Sequence, residues 1–213
     1  MSKLTLGAIL YEGFELLDMF GPLEMFTALP EERLEVLMIA ENKGVVKAGS
    51  MSGAPMPSVV ADYDFDTAPQ LDLILVPGGV GTIPELSNTK MLNFLSERSK
   101  SATITSSVCT GSAMLAKAGV LDGKKATSNK QVFNLAAGSS DKVEWIESAR
   151  WVDDGDVVTS SGVSAGIDMS LAIIARLFDV DTAEAIANGA EYTWHKDPNV
   201  DPFVQYLNQV TLG

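Results

Sequence analysis

Residues 103–116 constrain the fold of this chain more than any other stretch. β-Branched residues at 103–105 indicate a short buried strand, and the run from Ser112 to Gly119 favours a helix. Cys109, the single cysteine of the chain, falls in the turn between them. A sharp strand-to-helix turn of this kind is a nucleophile elbow, which pushes its central side chain out of the sheet. The helix behind the turn is expected to favour a thiolate at Cys109.

Strand and helix patterns alternate on both sides of this elbow. Strands are predicted over 3–10, 34–40, 71–76, 143–146, 149–152 and 157–159. Helices are predicted from Pro22 onward and over 84–99, 131–137, 165–178 and 182–194. The alternation predicts an α/β fold with a mostly parallel sheet, helices on both faces and a site at the carboxyl ends of the strands. No stretch looks like a linker, so residues 1–213 are expected to form a single domain.

Composition excludes several classes of partner. The formal net charge of −13 and the pI near 4.4 argue against nucleic acid, since basic residues cluster no further than the pair Lys124 and Lys125. No apolar run approaches the ~18 residues of a membrane helix, and the first ten residues do not form a signal sequence. A cytoplasmic protein that makes no contact with membranes is the expectation. A lone cysteine also cannot form an internal disulfide.

The chain offers few partners that could activate Cys109. Its single histidine, His195, lies among aromatic residues near the C-terminus, and no spacing places it beside the elbow. Asp18 is the better candidate, because it follows the first strand and precedes the helix expected to begin at Pro22. A carboxyl group near a thiolate holds its proton more tightly and can serve as acid and base. The alternatives are a capping role for Asp18 and, as a weaker acid/base candidate, Glu24 within the helix.

Three backbone N–H groups are candidates to bind an anion that develops on the substrate. They belong to Gly79 and Val80, after the strand over 71–76, and to Thr110 in the elbow, whose hydroxyl is a further candidate donor. A strand-ending turn explains the glycines equally well. Phe14 and Phe20 could line a substrate pocket, although core packing explains aromatic residues there at least as well.

Metal and cofactor motifs are missing from the sequence. One histidine and one cysteine cannot assemble a zinc site, and neither G-x-x-x-x-G-K-[ST] nor G-x-G-x-x-G follows a strand. The D-x-D-x-D run at 62–66 lacks the glycine and the closing glutamate of a calcium loop. Ser160, Ser161 and Ser164 have no G-x-S-x-G context, which favours cap and loop roles. We therefore expect neither a metal nor a cofactor.

Four segments of the chain, taken in order, carry a family resemblance. They are Leu17-Asp18 with Gly21-Pro22-Leu23-Glu24, Val76-Pro77-Gly78-Gly79, Val108-Cys109-Thr110-Gly111-Ser112 and Thr159 to Met169. Together they resemble the ThiJ/PfpI superfamily, which is similar to the class I glutamine amidotransferases. The Asp-based first segment and the Cys-Thr-Gly elbow are most similar to its isonitrile hydratase branch.

This resemblance implies a flavodoxin-like three-layer sandwich and a homodimer. It places the catalytic pair on Cys109 and Asp18, with Thr110 adjoining, and it implies no cofactor. Many relatives carry a histidine where this chain has Asn129. That difference removes the Cys-His arrangement of protease-like and glyoxalase-like members and leaves the route through Asp18.

The sequence thus predicts a cofactor-independent hydratase that adds water to a small electrophile. The preferred substrate is an isonitrile, which would give an N-substituted formamide through a Cys109 thiolate and acid/base work by Asp18. Two alternatives stay open. One is a thiol redox sensor or stress-response protein with an oxidisable Cys109. The other is a glyoxalase-like enzyme or a related carbonyl-adduct hydrolase.

Overall fold

The computed structural model describes residues 3–50 and 52–210 of the chain. Its strands are β1 (Leu4–Ile9), β2 (Leu34–Ala40), β3 (Gly44–Lys47), β4 (Ser58–Ala61), β5 (Tyr63–Asp64), β6 (Leu73–Val76), β7 (Ile104–Val108), β8 (Lys125–Ala126), β9 (Glu144–Trp145), β10 (Trp151–Asp154) and β11 (Val157–Ser160). Its helices are α1 (Leu16–Thr27), α2 (Thr82–Glu85), α3 (Thr89–Ser99), α4 (Gly111–Lys117), α5 (Phe133–Ala137), α6 (Ala165–Leu177) and α7 (Val180–Gly189), followed by a short 3₁₀ turn at Val204–Tyr206.

Seven strands form the central sheet in the order β10-β11-β7-β6-β1-β2-β5. All neighbours pair in parallel except β10, which runs antiparallel to β11 at one edge. The five principal strands β1, β2, β6, β7 and β11 lie in the spatial order 2-1-3-4-5, which is the flavodoxin-like order. The strand order reverses between β1 and β6, and the carboxyl ends of these strands open a crevice where ligands bind in such sheets.

Helices cover both faces of this sheet, as the alternating sequence pattern predicts. Helices α1, α6 and α7 pack together in one layer, and α3, α4 and α5 pack together in the other. Strands β6 and β7 at the centre are buried along their whole length, as expected for parallel strands covered on both sides. The fold is therefore the three-layer α/β sandwich predicted from the sequence.

Helix α1 differs from its prediction in a way that matters for the site. It begins at Leu16, ahead of Pro22, so that Asp18 lies in its first turn instead of before it. Pro22 is tolerated inside the helix although it has no N–H to donate to the carbonyl of Asp18, four residues earlier. The small Gly21 lies against Ile167 of α6, where a Cβ atom would come within 2.9 Å of that side chain. This close contact holds α1 against α6.

Other helix predictions needed smaller corrections. The predicted helix over 84–99 is divided into α2 and α3, and Asn88 caps the second by accepting the N–H groups of Lys90 and Met91. The predicted helix over 182–194 begins earlier and ends at Gly189. In the part of the chain that the structure describes, no helix has the length and apolar character needed to cross a membrane.

Candidate active site

Cys109 occupies the turn between β7 and α4 with a left-handed backbone, at φ 59°. Such a conformation costs a cysteine of the order of 1 kcal/mol or more, so neighbouring groups must hold it. Its N–H lies 3.2 and 3.1 Å from the carbonyl oxygens of Ser160 and Ser161, and its carbonyl accepts the hydroxyls of Ser112 and Ser128, each at 3.0 Å. The turn is therefore the nucleophile elbow that the sequence predicts.

The elbow is so tight that its helix must begin with glycine. A Cβ atom on Gly111 would lie 2.4 Å from the carbonyl oxygen of Val76 and 2.8 Å from that of Pro77. These contacts bring the end of β6 against the start of α4. The thiol of Cys109 is consequently enclosed, with only 6% of the residue exposed.

Asp18 meets this elbow at the point where the strand order reverses. Its carboxylate oxygen Oδ2 accepts the backbone N–H of Gly78, which follows β6, at 2.8 Å. A Cβ atom on Gly78 would lie 2.8 Å from that oxygen and 2.6 Å from the backbone nitrogen of Thr110. Because Gly78 has no side chain, Asp18 and the elbow residues can approach each other across it.

The carboxyl group of Asp18 is fully buried and retains a proton near neutrality. Burial is the main cause that raises its pKa from 3.8 to about 7, and the hydrogen bond from Gly78 opposes this rise. The neighbouring thiol of Cys109 also acts to lower the carboxyl pKa. Oxygen Oδ1 has no partner of good hydrogen-bond geometry among the described residues. Asp18 thus interacts with the Cys109 thiol, has one carboxyl oxygen without a hydrogen bond, and has a pKa suited to acid/base catalysis.

Cys109 differs from the expected low-pKa thiolate. Burial raises the pKa of its thiol, and the charge of Asp18 raises it further. Hydrogen bonds from the Asn129 amide and from the backbone N–H groups of Thr110 and Val163 act in the opposite direction. The resting cysteine is therefore a neutral thiol, and its sulfur is surrounded by donors that stabilise negative charge when the proton leaves.

Asn129 provides the best-defined of these donors. Its side-chain nitrogen Nδ2 lies 3.1 Å from the sulfur of Cys109, and its oxygen accepts the N–H of Gln131 at 2.8 Å. Because the oxygen must face a backbone donor, the orientation of the amide is fixed with its NH₂ group toward the sulfur. A Cβ atom on Gly162 would lie 2.5 Å from the same nitrogen, so this glycine leaves room for the amide.

A chain of hydroxyl groups determines what Thr110 can donate. The phenol of Tyr11 donates to the carbonyl of Pro77 at 2.8 Å and therefore accepts from Thr82, whose oxygen is 3.1 Å away. Thr82 in turn accepts from Thr110 at 2.8 Å, and Thr110 accepts the N–H of Gly79 at 3.1 Å. The Thr110 hydroxyl proton is thus committed within the protein, and its backbone N–H is the group that faces the sulfur.

The remaining predicted site residues are placed as follows. The Gly79 N–H serves Thr110, and the Val80 side chain is 40% exposed. Glu24 is exposed on α1 and lines a groove against α7, to which none of the elbow residues described above contributes. His195 packs beside α6, with its ring nitrogen Nε2 3.1 Å from the carbonyl oxygen of Val200.

Two features of the site escaped the sequence patterns. Asn129 stood out only as a departure from the usual histidine, and Val163, with φ 45°, was not singled out at all.

Phe14, considered for a pocket wall, is fully buried in the core, whereas Phe20 is 40% exposed on α1. Among residues 3–50 and 52–210, no three His, Cys, Asp or Glu side chains are grouped so that they could hold a metal ion.

A flavodoxin-like sheet with a cysteine elbow and a facing carboxyl group defines a class of α/β proteins built around a buried thiol. Comparison with known proteins identifies the class. The family described as DJ-1/PfpI matches residues 7–176. The chain belongs to the DJ-1/PfpI family.

Individual relatives agree with this assignment. The chain is 32% identical over 194 residues to an isonitrile hydratase from Pseudomonas putida, across 89% of this chain and 78% of that protein. The crystal structure of a ThiJ/PfpI family protein from Pseudomonas syringae has a TM-score of 0.79 and 31% identity, covering 94% of this chain and 79% of the other. A DJ-1 superfamily protein from Salmonella typhimurium, 21% identical, shares the fold with a TM-score of 0.73 over 89% and 99% of the two chains.

Proposed function

We propose that this protein is a cofactor-independent hydratase that adds water to a small isonitrile and releases an N-substituted formamide. The observation that carries the proposal is the pairing of a buried thiol with the Asp18 carboxyl, whose pKa is about 7. Similarity to the P. putida isonitrile hydratase supports the same reaction. The terminal carbon of an isonitrile is attacked by a nucleophile and must also receive a proton, and this pair supplies both.

The reactive state of the pair carries one proton shared between Cys109 and Asp18. The Asp18 carboxylate takes the thiol proton while the sulfur forms a bond to the terminal carbon of the isonitrile. Asp18 then delivers that proton to the same carbon. The product is a thioimidate, in which carbon is bonded to sulfur, to hydrogen and, by a double bond, to the substituted nitrogen.

Water completes the reaction at the same carbon. Asp18 takes a proton from the attacking water and passes it to the substrate nitrogen, which leaves a tetrahedral carbon bonded to sulfur, hydroxyl and amine. The carbon–sulfur bond then breaks, a carbonyl forms, and the hydroxyl proton returns through Asp18 to the Cys109 sulfur. The balance is one isonitrile and one water consumed and one formamide produced, with the enzyme restored.

The donors around Cys109 support both steps. The sulfur carries negative charge as it attacks and again as it leaves, and three donors face it from Asn129, Thr110 and Val163. Their positions are fixed before the reaction, so they need not reorganise as charge develops. The Gly78 N–H donates to the Asp18 carboxylate, and the Gly79 N–H donates to the Thr110 hydroxyl.

The alternatives find less support at this site. A redox sensor uses an accessible, low-pKa cysteine, whereas Cys109 is buried and its thiol pKa is raised. A glyoxalase-like reaction through a Cys-His pair requires a histidine beside the cysteine, and Asn129 occupies that position. Its amide cannot accept and return a proton as imidazole does.

A turnover assay tests the proposal. Wild type, Cys109→Ala and Asp18→Asn are incubated with a simple aryl isonitrile and, separately, with methylglyoxal, and formamide and lactate are quantified. Among these three proteins, we expect formamide from the wild type only. Asp122→Asn, which changes an exposed carboxylate paired with Lys142, serves as the matched control and should retain turnover. An inactive wild type at high enzyme concentration, or lactate as the only product, would reject the hydratase assignment.

A further inference from the structure

A buried ion pair lies next to the active-site loop and takes no part in the reaction steps described above. The ammonium nitrogen of Lys130 is 3.7 Å from Oδ2 of Asp201, and the two side chains are 1% and 0% exposed. A lysine is almost never buried to this extent unless it is paired, since removing its charge from water is costly. Lys130 directly follows Asn129, whose amide faces the Cys109 sulfur.

The Lys130 side chain folds back onto its own loop. Its ammonium donates to the hydroxyl oxygen of Thr127 at 2.8 Å, to the carbonyl of Ala149 at 2.7 Å and to the carbonyl of Ser128 at 3.3 Å. Ser128 in turn donates its hydroxyl to the Cys109 carbonyl. The ammonium thus ties together the residues on both sides of Asn129 and connects them to the elbow.

The C-terminal segment fixes the same loop from outside. The N–H of Asp201 donates to the carbonyl of Ser148 at 3.0 Å, which places the Asp201 carboxylate beside Lys130. Farther along, the N–H of Asn208 donates to the Lys130 carbonyl at 2.8 Å. The loop that carries Asn129 is therefore held through both the side chain and the backbone of Lys130.

We propose that Lys130 and Asp201 are positioning residues: their ion pair holds Asn129 against the sulfur of Cys109 and thereby sets the reactivity of the thiol. The inference rests on the nucleophilic role of Cys109 in the proposed function, but it does not depend on which electrophile is the substrate. Neither residue touches the sulfur, so both act through Asn129.

The charged groups around the ammonium agree with this role. Burial lowers the pKa of Lys130 to about 8, Asp201 and Glu147 act to raise it, and Arg150 acts to lower it. The Arg150 guanidinium is paired with Asp168 at 2.7 Å, and its Nη1 also lies 3.9 Å from Oδ1 of Asp201. Lys130 is accordingly charged at neutral pH, when all three of its N–H donors are needed for Thr127, Ala149 and the Ser128–Asp201 side of the loop.

Thiol alkylation by iodoacetamide, followed against pH, tests the proposal without any substrate. Four proteins are compared: wild type, Asn129→Ala, the double variant Lys130→Met/Asp201→Leu, and the triple variant that combines all three changes. Replacement of a buried ion pair by apolar residues of similar size is often tolerated, so the double variant is designed to fold. Lys142→Met/Asp122→Leu makes the same change at an exposed pair and is the control.

We expect Asn129→Ala and the double variant each to alkylate about tenfold more slowly than wild type at pH 7, as for a rise of about one unit in the thiol pKa. The triple variant should be no slower than Asn129→Ala alone, because positioning acts only through the amide. The proposal would be overturned if the two slowing factors multiplied in the triple variant, or if the double variant alkylated as fast as wild type.

Folding of each variant is checked by thermal unfolding. If the double variant does not fold, it is replaced by Asp201→Asn, which keeps an acceptor for the N–H of Phe203. The alkylation rate of Asn129→Ala/Asp201→Asn is then compared with that of Asn129→Ala alone, and equal rates support the proposal. The result is separable from the hydratase assignment. If the triple variant alkylates no more slowly than Asn129→Ala but the wild type does not turn over an isonitrile, the substrate assignment is rejected and the positioning role is kept.

Discussion

The amide nitrogen of Asn129 lies 3.1 Å from the sulfur of Cys109, and the Gln131 N–H fixes the orientation of that amide. An amide can donate to a thiolate but cannot remove the proton that forms it. In the proposed mechanism, proton transfer is therefore left to Asp18. That mechanism separates two tasks that a histidine would combine, which suits a reaction in which one proton moves from sulfur to carbon.

Replacement of Asn129 by aspartate tests the donor role with a side chain of the same shape. A carboxylate at this position accepts hydrogen bonds and repels a thiolate, so charge on the sulfur loses a donor and gains a like charge. We expect kcat/KM for an aryl isonitrile to fall by about a hundredfold, as for the loss of one preorganised donor. Asn134→Asp, in the exposed part of α5, is the control for the change of charge. Equal rates in Asn129→Asp and wild type would contradict the donor role.

The pH dependence of kcat/KM reports the shared proton of the Cys109–Asp18 pair. Below pH 7 both groups hold a proton, and no base is present to take the thiol proton. Activity should therefore rise as pH increases through about 7 and then reach a plateau, with an apparent pKa that belongs to the pair. The rise should be absent from any residual activity of Asp18→Asn. Activity that falls through the same pH range would instead assign Asp18 as a proton donor from its resting state.

Much of this arrangement follows from local sequence. The β-branched run before Cys109 and the small residues after it predict the elbow, because a strand-to-helix turn needs those residue types. The placement of Asp18 opposite the elbow follows from the rule that parallel strands open their carboxyl ends at one edge. The proximity of Asp18 to Cys109 can therefore be predicted from the sequence.

Other features depend on long-range packing and could not be read from the sequence. The raised thiol pKa results from enclosure of Cys109 by several chain segments, whereas the helix behind it suggested the opposite direction. The early start of α1 depends on its packing against α6 at Gly21, which overrides the usual position of Pro22 at a helix start. The Lys130–Asp201 pair joins residues 71 positions apart, beyond any local pattern.

The buried carboxyl group of Asp18 should make the protein less stable as pH rises. Its pKa is 3.8 when exposed and about 7 in the folded chain, so between these values the folded state binds the extra proton and the free energy of unfolding falls with pH. Asp18→Asn removes this dependence. The stability advantage of Asp18→Asn over wild type should therefore be about 3 kcal/mol larger at pH 8 than at pH 5. Urea unfolding at the two pH values measures the difference. A pH-independent difference between variant and wild type would mean that Asp18 is not protonated by burial.

Loss of the Thr110 hydroxyl should affect stability and activity together. Thr110→Val preserves shape but leaves the Gly79 N–H without its acceptor and breaks the chain to Thr82 and Tyr11. We expect a loss of about 1 to 2 kcal/mol in unfolding free energy, because a half-buried donor is left unsatisfied, and a lower kcat as the elbow loosens. Thr110→Ser keeps the hydroxyl and should recover most of both quantities. Failure of serine to do better than valine would show that the methyl group, and not the hydroxyl, is required.

The close approach of β6 to the elbow makes Gly111 intolerant of substitution. A Cβ atom there would meet backbone oxygens of Val76 and Pro77 at 2.4 and 2.8 Å, and backbone cannot move aside as a flexible side chain can. Gly111→Ala should therefore lower the free energy of unfolding by about 1 to 3 kcal/mol, as overpacking does, and displace Cys109 from its donors. Alkylation of the thiol should slow as well. Gly189→Ala, at the end of α7 with no atom within 4 Å of its Cβ position, is the matched control and should be neutral or slightly stabilising. If both substitutions were equally neutral, the elbow would be able to relax, and the enclosure of Cys109 would not depend on this contact.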